Sequence, residues 1–376
     1  MRKHIAFLAA ALLVANAASA WGGIDPPGFA KGAQQQQDKP LKLPPNVDLV
    51  IALDVSNSMD GLIDQARAKL WDVVAIMAAA KPQPKLRIGL ISYGNDRYPA
   101  AGGWVRKEAD LTSDLDGVYA KLIGLTTYGG TEYVTRAVHD AIHDMQWTQG
   151  DQTLRLIFVA GNEPANQDPT LSLADVAKDA ESHKIRVHTI YCGPESNPEK
   201  VAWAGFAKAA HGGSYAIDQN QVATVATPVD DQLAALSTKL NSTYIAYGAG
   251  GKAKAANQVA QDANAARLGS SVAAGRAGAK SSAVYHNEEW DLVDRHAQGG
   301  AAAVAAVPAE ALPPPLAALP PAEREKVVAE KAKERAQIQQ QIAELSKKRD
   351  AYIKSERAKA PRKAKALDDA MMDALQ

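Results

Sequence analysis

From Val47 the chain alternates between two hydrophobic rhythms. Short apolar runs fit buried strands: Val47–Val55, Leu86–Tyr93, Leu154–Ala160, Ile185–Cys192 and Ser214–Ile217. Between them, apolar residues recur at helical spacing. Leu62, Ile63, Ala66, Leu70, Val73, Val74 and Met77 form one such face, and Val134, Ala137, Val138, Ala141, Ile142 and Met145 another. Leu173–Ser182, Pro198–Ala210 and the series Leu233, Leu236, Leu240, Tyr244 continue the pattern, which Gly248 stops. A sixth strand, Val105–Leu111, carries Arg106, Lys107, Glu108 and Asp110, as suits a sheet edge. Strands alternating with helices predict an α/β fold with a doubly wound, mostly parallel, Rossmann-like sheet and a helical C-terminal extension. In such folds ligands sit at the C-terminal ends of the strands, where strand order reverses, and Asp54 ends the first strand.

The flanking segments read differently. Residues 1–20 resemble a secretory signal: Arg2, Lys3 and His4, then the apolar run Ile5–Val14, then Ala18-Ser19-Ala20. The run is shorter than the ~20 residues that span a bilayer. An exported chain, periplasmic or extracellular, with no membrane span is the expectation. Residues 21–46 carry glycines, prolines and Gln34–Gln37, and read as a flexible leader. The sheet domain is expected over 47–247 and an alanine-rich extension over 248–300, docked through Trp290 and Leu292. An alanine/proline linker, semi-extended, is expected over 301–321, and a C-terminal helix and tail over 322–376. In that helix Val328, Ile338, Ile342, Leu345 and Tyr352 partly satisfy a heptad, but Lys331, Arg335 and Arg349 share the seam. A weak coiled coil, with self-association through it, a helix docked on something else and a lone solvated helix all fit.

Composition adds exclusions. Lys+Arg and Asp+Glu are 42 each, so there is no electrostatic pull toward nucleic acid. The single cysteine, Cys192, makes no internal disulfide and reads as a small apolar residue at a strand end.

The chemistry concentrates after the first strand, in Asp54, Ser56 and Ser58. A carboxylate and hydroxyls converging from one loop suit a hard cation such as Mg²⁺, which takes about six oxygens and keeps waters. The competing reading makes Ser56, Ser58 or Asp60 a helix N-cap. Thr131 follows Gly129 and Gly130 at the start of the second periodic helix, and Ala160–Asn166 is a third oxygen-bearing loop. On these residues the chain resembles the von Willebrand factor A family, over Val47 to about Tyr247. The resemblance implies a metal-ion-dependent adhesion site with Mg²⁺ or Mn²⁺ on top of the sheet, matched by Asp54, Ser56, Ser58 and Thr131. It implies binding of a partner protein whose carboxylate completes the metal site. The family's aspartate after the fourth strand is missing; Asn162 or Gly161 stands there, depending on the turn, and Glu163 follows. Asn162 is taken as an assisting ligand in a weaker metal site, with Glu163 as its substitute if the loop shifts by one residue. An amide there removes one negative charge and favours an acidic group from the partner.

Two other readings stay beside this one. His139-Asp-Ala-Ile-His143 resembles the H-E-x-x-H zinc hydrolases, but its acid is Asp140 and no third ligand follows at a familiar interval. A structural protein with a degenerate, metal-free site is the other. No G-x-S-x-G elbow or phosphate loop is present, so a binding protein is favoured over an enzyme.

Overall fold

A computed structural model describes residues 41–194, 196–219, 224–359 and 367–375. The signal expected over 1–20, most of the leader and most of the basic tail fall outside the described residues.

Six strands form one sheet: β1 (Asn46–Asp54), β2 (Lys85–Tyr93), β3 (Val105–Thr112), β4 (Thr153–Gly161), β5 (Ile185–Tyr191) and β6 (Ser214–Ala216). Their order is β3-β2-β1-β4-β5-β6, all pairs parallel except the antiparallel β2–β3 edge. The charged strand is thus at the rim, where its outward side chains meet water. Strand order reverses between β1 and β4, which opens a crevice at their C-terminal ends.

The near-continuous apolar character of β1 has a direct cause: helices cover both of its faces. Leu49, Ile51 and Leu53 pack on α1 (Asp60–Ala79) and α2 (Leu115–Ile123). Val50 and Ala52 point the other way, with α3 (Val134–Asp144), α4 (Leu173–Ser182) and α5 (Glu199–Ala209). Helix α2 was not expected from the sequence.

A helical layer continues from α6 (Asp230–Asn241) through α7 (Gly251–Leu268) and α8 (Ser270–Lys280), with α8 packed on α1. Then come α9 (Leu292–Ala305), α10 (Pro314–Ala317), α11 (Pro321–Lys359) and α12 (Leu367–Leu375). Trp290 and Leu292 are buried, as expected of that extension. The segment 301–321 departs from expectation: it is not semi-extended but folded into helical turns. Val304, Val307, Leu312 and Leu316 make a small core with Val328 of α11. Helix α11 docks on its own chain, burying Ile338 and Ile342 against α6 and α8. The charges on its seam are buried as pairs. Arg335 bonds Asp291 at 2.6 Å and Asp294 at 2.5 Å, and Arg349 reaches Asp230 at 3.3 Å. No helix of the described residues is long and apolar enough to cross a membrane.

Candidate metal centre at the sheet rim

Asp54 is the last residue of β1 and has no solvent exposure. Its Oδ1 accepts the Ser56 amide at 2.8 Å, which closes a tight turn off the strand. Its Oδ2 is buried with no hydrogen-bond partner. A buried oxygen without a donor costs roughly 1–3 kcal/mol, and more when charged. Burial pushes the Asp54 carboxyl up to about 8, and the charges of Glu132 and Glu163 push the same way against the Ser56 bonds. No cationic side chain of the described residues bonds it.

The turn serines do not cap the next helix. Ser56 makes no side-chain cap bond, and neither does Met59, the residue that precedes α1. Asp60 instead accepts the Thr127 hydroxyl at 2.5 Å. The Ser56 and Ser58 hydroxyls lie 3.3 Å apart. Asn162 stands just past β4, its amide Nδ2 donating to Ser58 Oγ at 3.2 Å. Of Gly161 and Asn162, it is Asn162 that carries a polar group reaching the loop. Gly161 leaves room, since a Cβ on it would fall 3.0 Å from Asp54 Oδ2 and 2.5 Å from the Tyr93 hydroxyl.

The loop before α3 runs beside this turn. Tyr128 donates its amide to the Val55 carbonyl at 2.9 Å, and Asn57 to that of Gly129 at 3.1 Å. Gly129 has φ +87°, and any side chain there would strike Asp96. Thr131 is half-buried in this loop, and its hydroxyl bonds to none of the described residues. The hydrogen bonds therefore join Asp54, Ser56, Ser58 and Asn162, and they do not include Thr131.

Sequence reasoning missed Glu132. Its side chain is buried beside Asp54: a Cβ on Gly94 would sit 2.9 Å from both Asp54 Oδ1 and Glu132 Cγ. Burial raises the Glu132 carboxyl above the usual range, Gln167 and Ser56 oppose this, and Glu163 adds to it. The signal in the sequence was an acid set immediately before an apolar helix, in a glycine-bounded loop already tied to the site.

The donor set is carboxylate, hydroxyl and amide oxygen with no thiol or imidazole, which fits a hard divalent cation. The orphaned Oδ2 and the side-chain-free space at Gly161 fit one as well. By class this is a doubly wound α/β domain with a cluster of oxygen donors at its switch point. Residues 48–211 match the family model for the von Willebrand factor type A domain.

Similar solved structures include proximal thread matrix protein 1 from the mussel byssus, at 11% identity and TM-score 0.34, with 47% of this chain and 42% of that one covered. The chain thus spans about two-fifths of the mussel protein's length. A second structure of it, described as having a zinc-occupied MIDAS motif, matches at 11% identity and TM-score 0.36 over the same shares. The SpRpn10 VWA domain matches at 15% identity and TM-score 0.36, covering 50% of this chain and all of that one. No curated protein sequence matches.

Proposed function

We propose that this chain is an exported, non-enzymatic binding protein that takes a partner protein at a Mg²⁺- or Mn²⁺-bearing rim. VWA domains are generally interaction modules rather than enzymes, and sites of this kind hold divalent cations. The observation that carries the reading is Asp54 Oδ2, an acceptor held in the interior at the switch point with no donor. Asp54, Ser56, Ser58 and Thr131 would hold the ion, with Asn162 and Glu132 beside them. When bound, the ion offers an electrophilic position to an oxygen of the partner.

The chain's residues do the rest. Asp54 supplies charge from below, and Gly161 and Gly94 keep bulk away from it. The 128–129 pairing with 55–57 holds the hydroxyl loops together. Glu132 changes the expectation about the partner. Together with Asp54 it matches the two charges of the ion, so a missing aspartate no longer argues for an acidic partner group. A carboxylate and a carbonyl oxygen both have the hardness such an ion selects. Export rests on residues 1–20, whose basic start, apolar run and small-residue site are those of a secretory signal.

The test is calorimetric titration of Mg²⁺ and Mn²⁺ into the full chain and into Asp54→Asn, followed by capture of envelope proteins with Mg²⁺ and again with EDTA. Metal binding by the native chain alone, with capture lost in EDTA, supports the reading. No heat at millimolar metal, with equal capture in chelator, would replace it with a metal-free structural protein.

A further inference from the structure

The two histidines at i and i+4 on α3 lacked a third ligand in the sequence, and the fold supplies one. Helix α4 packs beside α3 and presents its own i, i+4 pair, Asp179 and His183, to the same groove. His143 Nε2 lies 2.7 Å from Asp179 Oδ2. The His139 and His143 rings are 4.6 Å apart, and His143 meets the His183 ring edge-on at 5.3 Å. One ligand atom each from His139, His143 and Asp179 falls within 4.8 Å of the other two.

The supporting bonds leave the right atoms free. His139 Nδ1 lies 3.1 Å from Asp140 Oδ1, which leaves its Nε2 for a ligand. A carboxylate behind the far nitrogen is the usual brace of a metal-binding imidazole. Asp179 is braced in turn, its Oδ1 lying 3.2 Å from His183 Nδ1 while Oδ2 faces His143. We infer that His139, His143 and Asp179 form a second metal site, for a borderline transition-metal ion, Zn²⁺ first, on the α3/α4 flank. Imidazole nitrogen with one carboxylate selects such an ion over Mg²⁺. Bonds of about 2.0–2.2 Å place tetrahedral donors roughly 3.3 Å apart, so closure asks only small side-chain rotations. A fourth position stays open to water or an external ligand, beside a groove of 640 Å³ lined by His143, His183, Trp147 and Arg155.

This site is separate from the rim. The last turns of α3 and α4 immediately precede β4 and β5, so they lie at the N-terminal edge of the sheet. Asp54 lies at the C-terminal edge, about 25 Å away along a strand of this length. The rim's oxygens and this site's nitrogens therefore sort two kinds of cation. The site has one open position, and the acid of the sequence motif, Asp140, is turned to His139; what is inferred is metal binding and not the hydrolase chemistry that the motif resembles.

The test uses the full chain in the Asp54→Asn background, stripped of metal and held in millimolar Mg²⁺. Zn²⁺ is titrated against a chromophoric chelator, and Co²⁺ is substituted for its visible ligand-field bands. One equivalent bound, with tetrahedral Co²⁺ bands, is expected. His143→Ala and Asp179→Asn should abolish both, while Asp140→Asn should weaken affinity about 10–100-fold. These side chains are partly exposed, so unfolding midpoints measured without metal separate ligand loss from misfolding. Unchanged zinc affinity in His143→Ala, or zinc bound only when Asp54 is intact, overturns the inference.

Discussion

Two enclosed carboxylates in this chain go opposite ways. Asp54, at the rim, has no cationic partner, and burial pushes it up to about 8. Asp262, on α7, has 19% of its side chain exposed and bonds Lys280 at 2.8 Å and Arg276. Burial acts to raise it too, but those two cations outweigh burial and hold it below the usual range. The same residue type, taken from water, is completed by the protein in one place and left incomplete in the other. Asp262 belongs to the architecture; Asp54 is left without a cation, the place that the proposed metal ion would take.

The largest effect that tests this contrast lies in the completed cluster. The Arg276 side chain is 1% exposed, bonds Asp116 at 2.7 Å, and sits 4.5 Å over the Trp71 ring. Replacing it with Met leaves Asp116 with the Tyr285 hydroxyl and no cation, and leaves Asp262 to Lys280 and Asn241 alone. Arg276→Met should lower unfolding free energy by about 3–5 kcal/mol in urea melts, and Mg²⁺ should not restore it. A loss under about 1 kcal/mol would mean that the cluster carries no more than exposed pairs do.

A buried group with no ion pair among the described residues sharpens the comparison. His188 accepts the Gly213 amide on Nδ1 at 3.0 Å, and its Nε2 has no partner. Burial, helped by Arg186, holds it down at about 4 against 6.5. Between pH 6.5 and about 4 the unfolded chain binds a proton that the folded chain refuses. The ring's contribution is therefore full above pH 6.5, falls with pH through that window, and levels off below about 4. The shift corresponds to about 3 kcal/mol. Stability curves of native chain and His188→Gln should diverge over that window, with the native chain the steeper; parallel curves would refute the assignment.

How much of this was legible follows from how local each signal is. The strands, the charged edge β3 and the position of Asp54 at a strand end all come from runs of a few residues. So did Ser56, Ser58 and Asn162, which the structure links by hydrogen bonds. Helix α2 was legible but unread: Leu115, Val118, Tyr119 and Leu122 follow helical spacing. Glu132 was hidden because an acid in a loop reads as solvated, and only the approach of Gly94 and Gln167 encloses it. The folding of 301–321 was illegible for a similar reason. Its prolines break periodicity, and its apolar residues find their partner in Val328, on another helix. Arg335 and Arg349 spoiled a heptad on paper because their acids lie on distant elements. Asp179 was likewise invisible beside the α3 histidines.

The rim makes the next prediction, through its proposed coupling to metal. In EDTA, Asp54→Asn should be at least as stable as the native chain, since it removes a buried carboxyl but keeps an oxygen for the Ser56 amide. With Mg²⁺ at a hundredfold over its dissociation constant the native chain should gain about 2.7 kcal/mol, and the variant nothing. Equal melting shifts in both chains would remove Asp54 from the metal site.

The smallest effect isolates Glu132, the residue that changes the site's charge count. Glu132→Gln keeps a side chain of the same size beside Gln167 and removes one negative charge near Asp54. If Glu132 helps neutralise the ion, Mg²⁺ affinity should fall about tenfold, or about 1.4 kcal/mol, because ligand charge tunes such sites. In chelator the sign should reverse. The Glu132 charge raises the Asp54 carboxyl, and burial acts on both groups, so removing it relieves crowding and should raise the unfolding midpoint. A purely structural Glu132 would lose stability in both conditions and leave metal affinity alone. Opposite signs in Mg²⁺ and EDTA are therefore the signature that the protein leaves this cluster of carboxylates short of a cation, whereas it completes the one around Arg276.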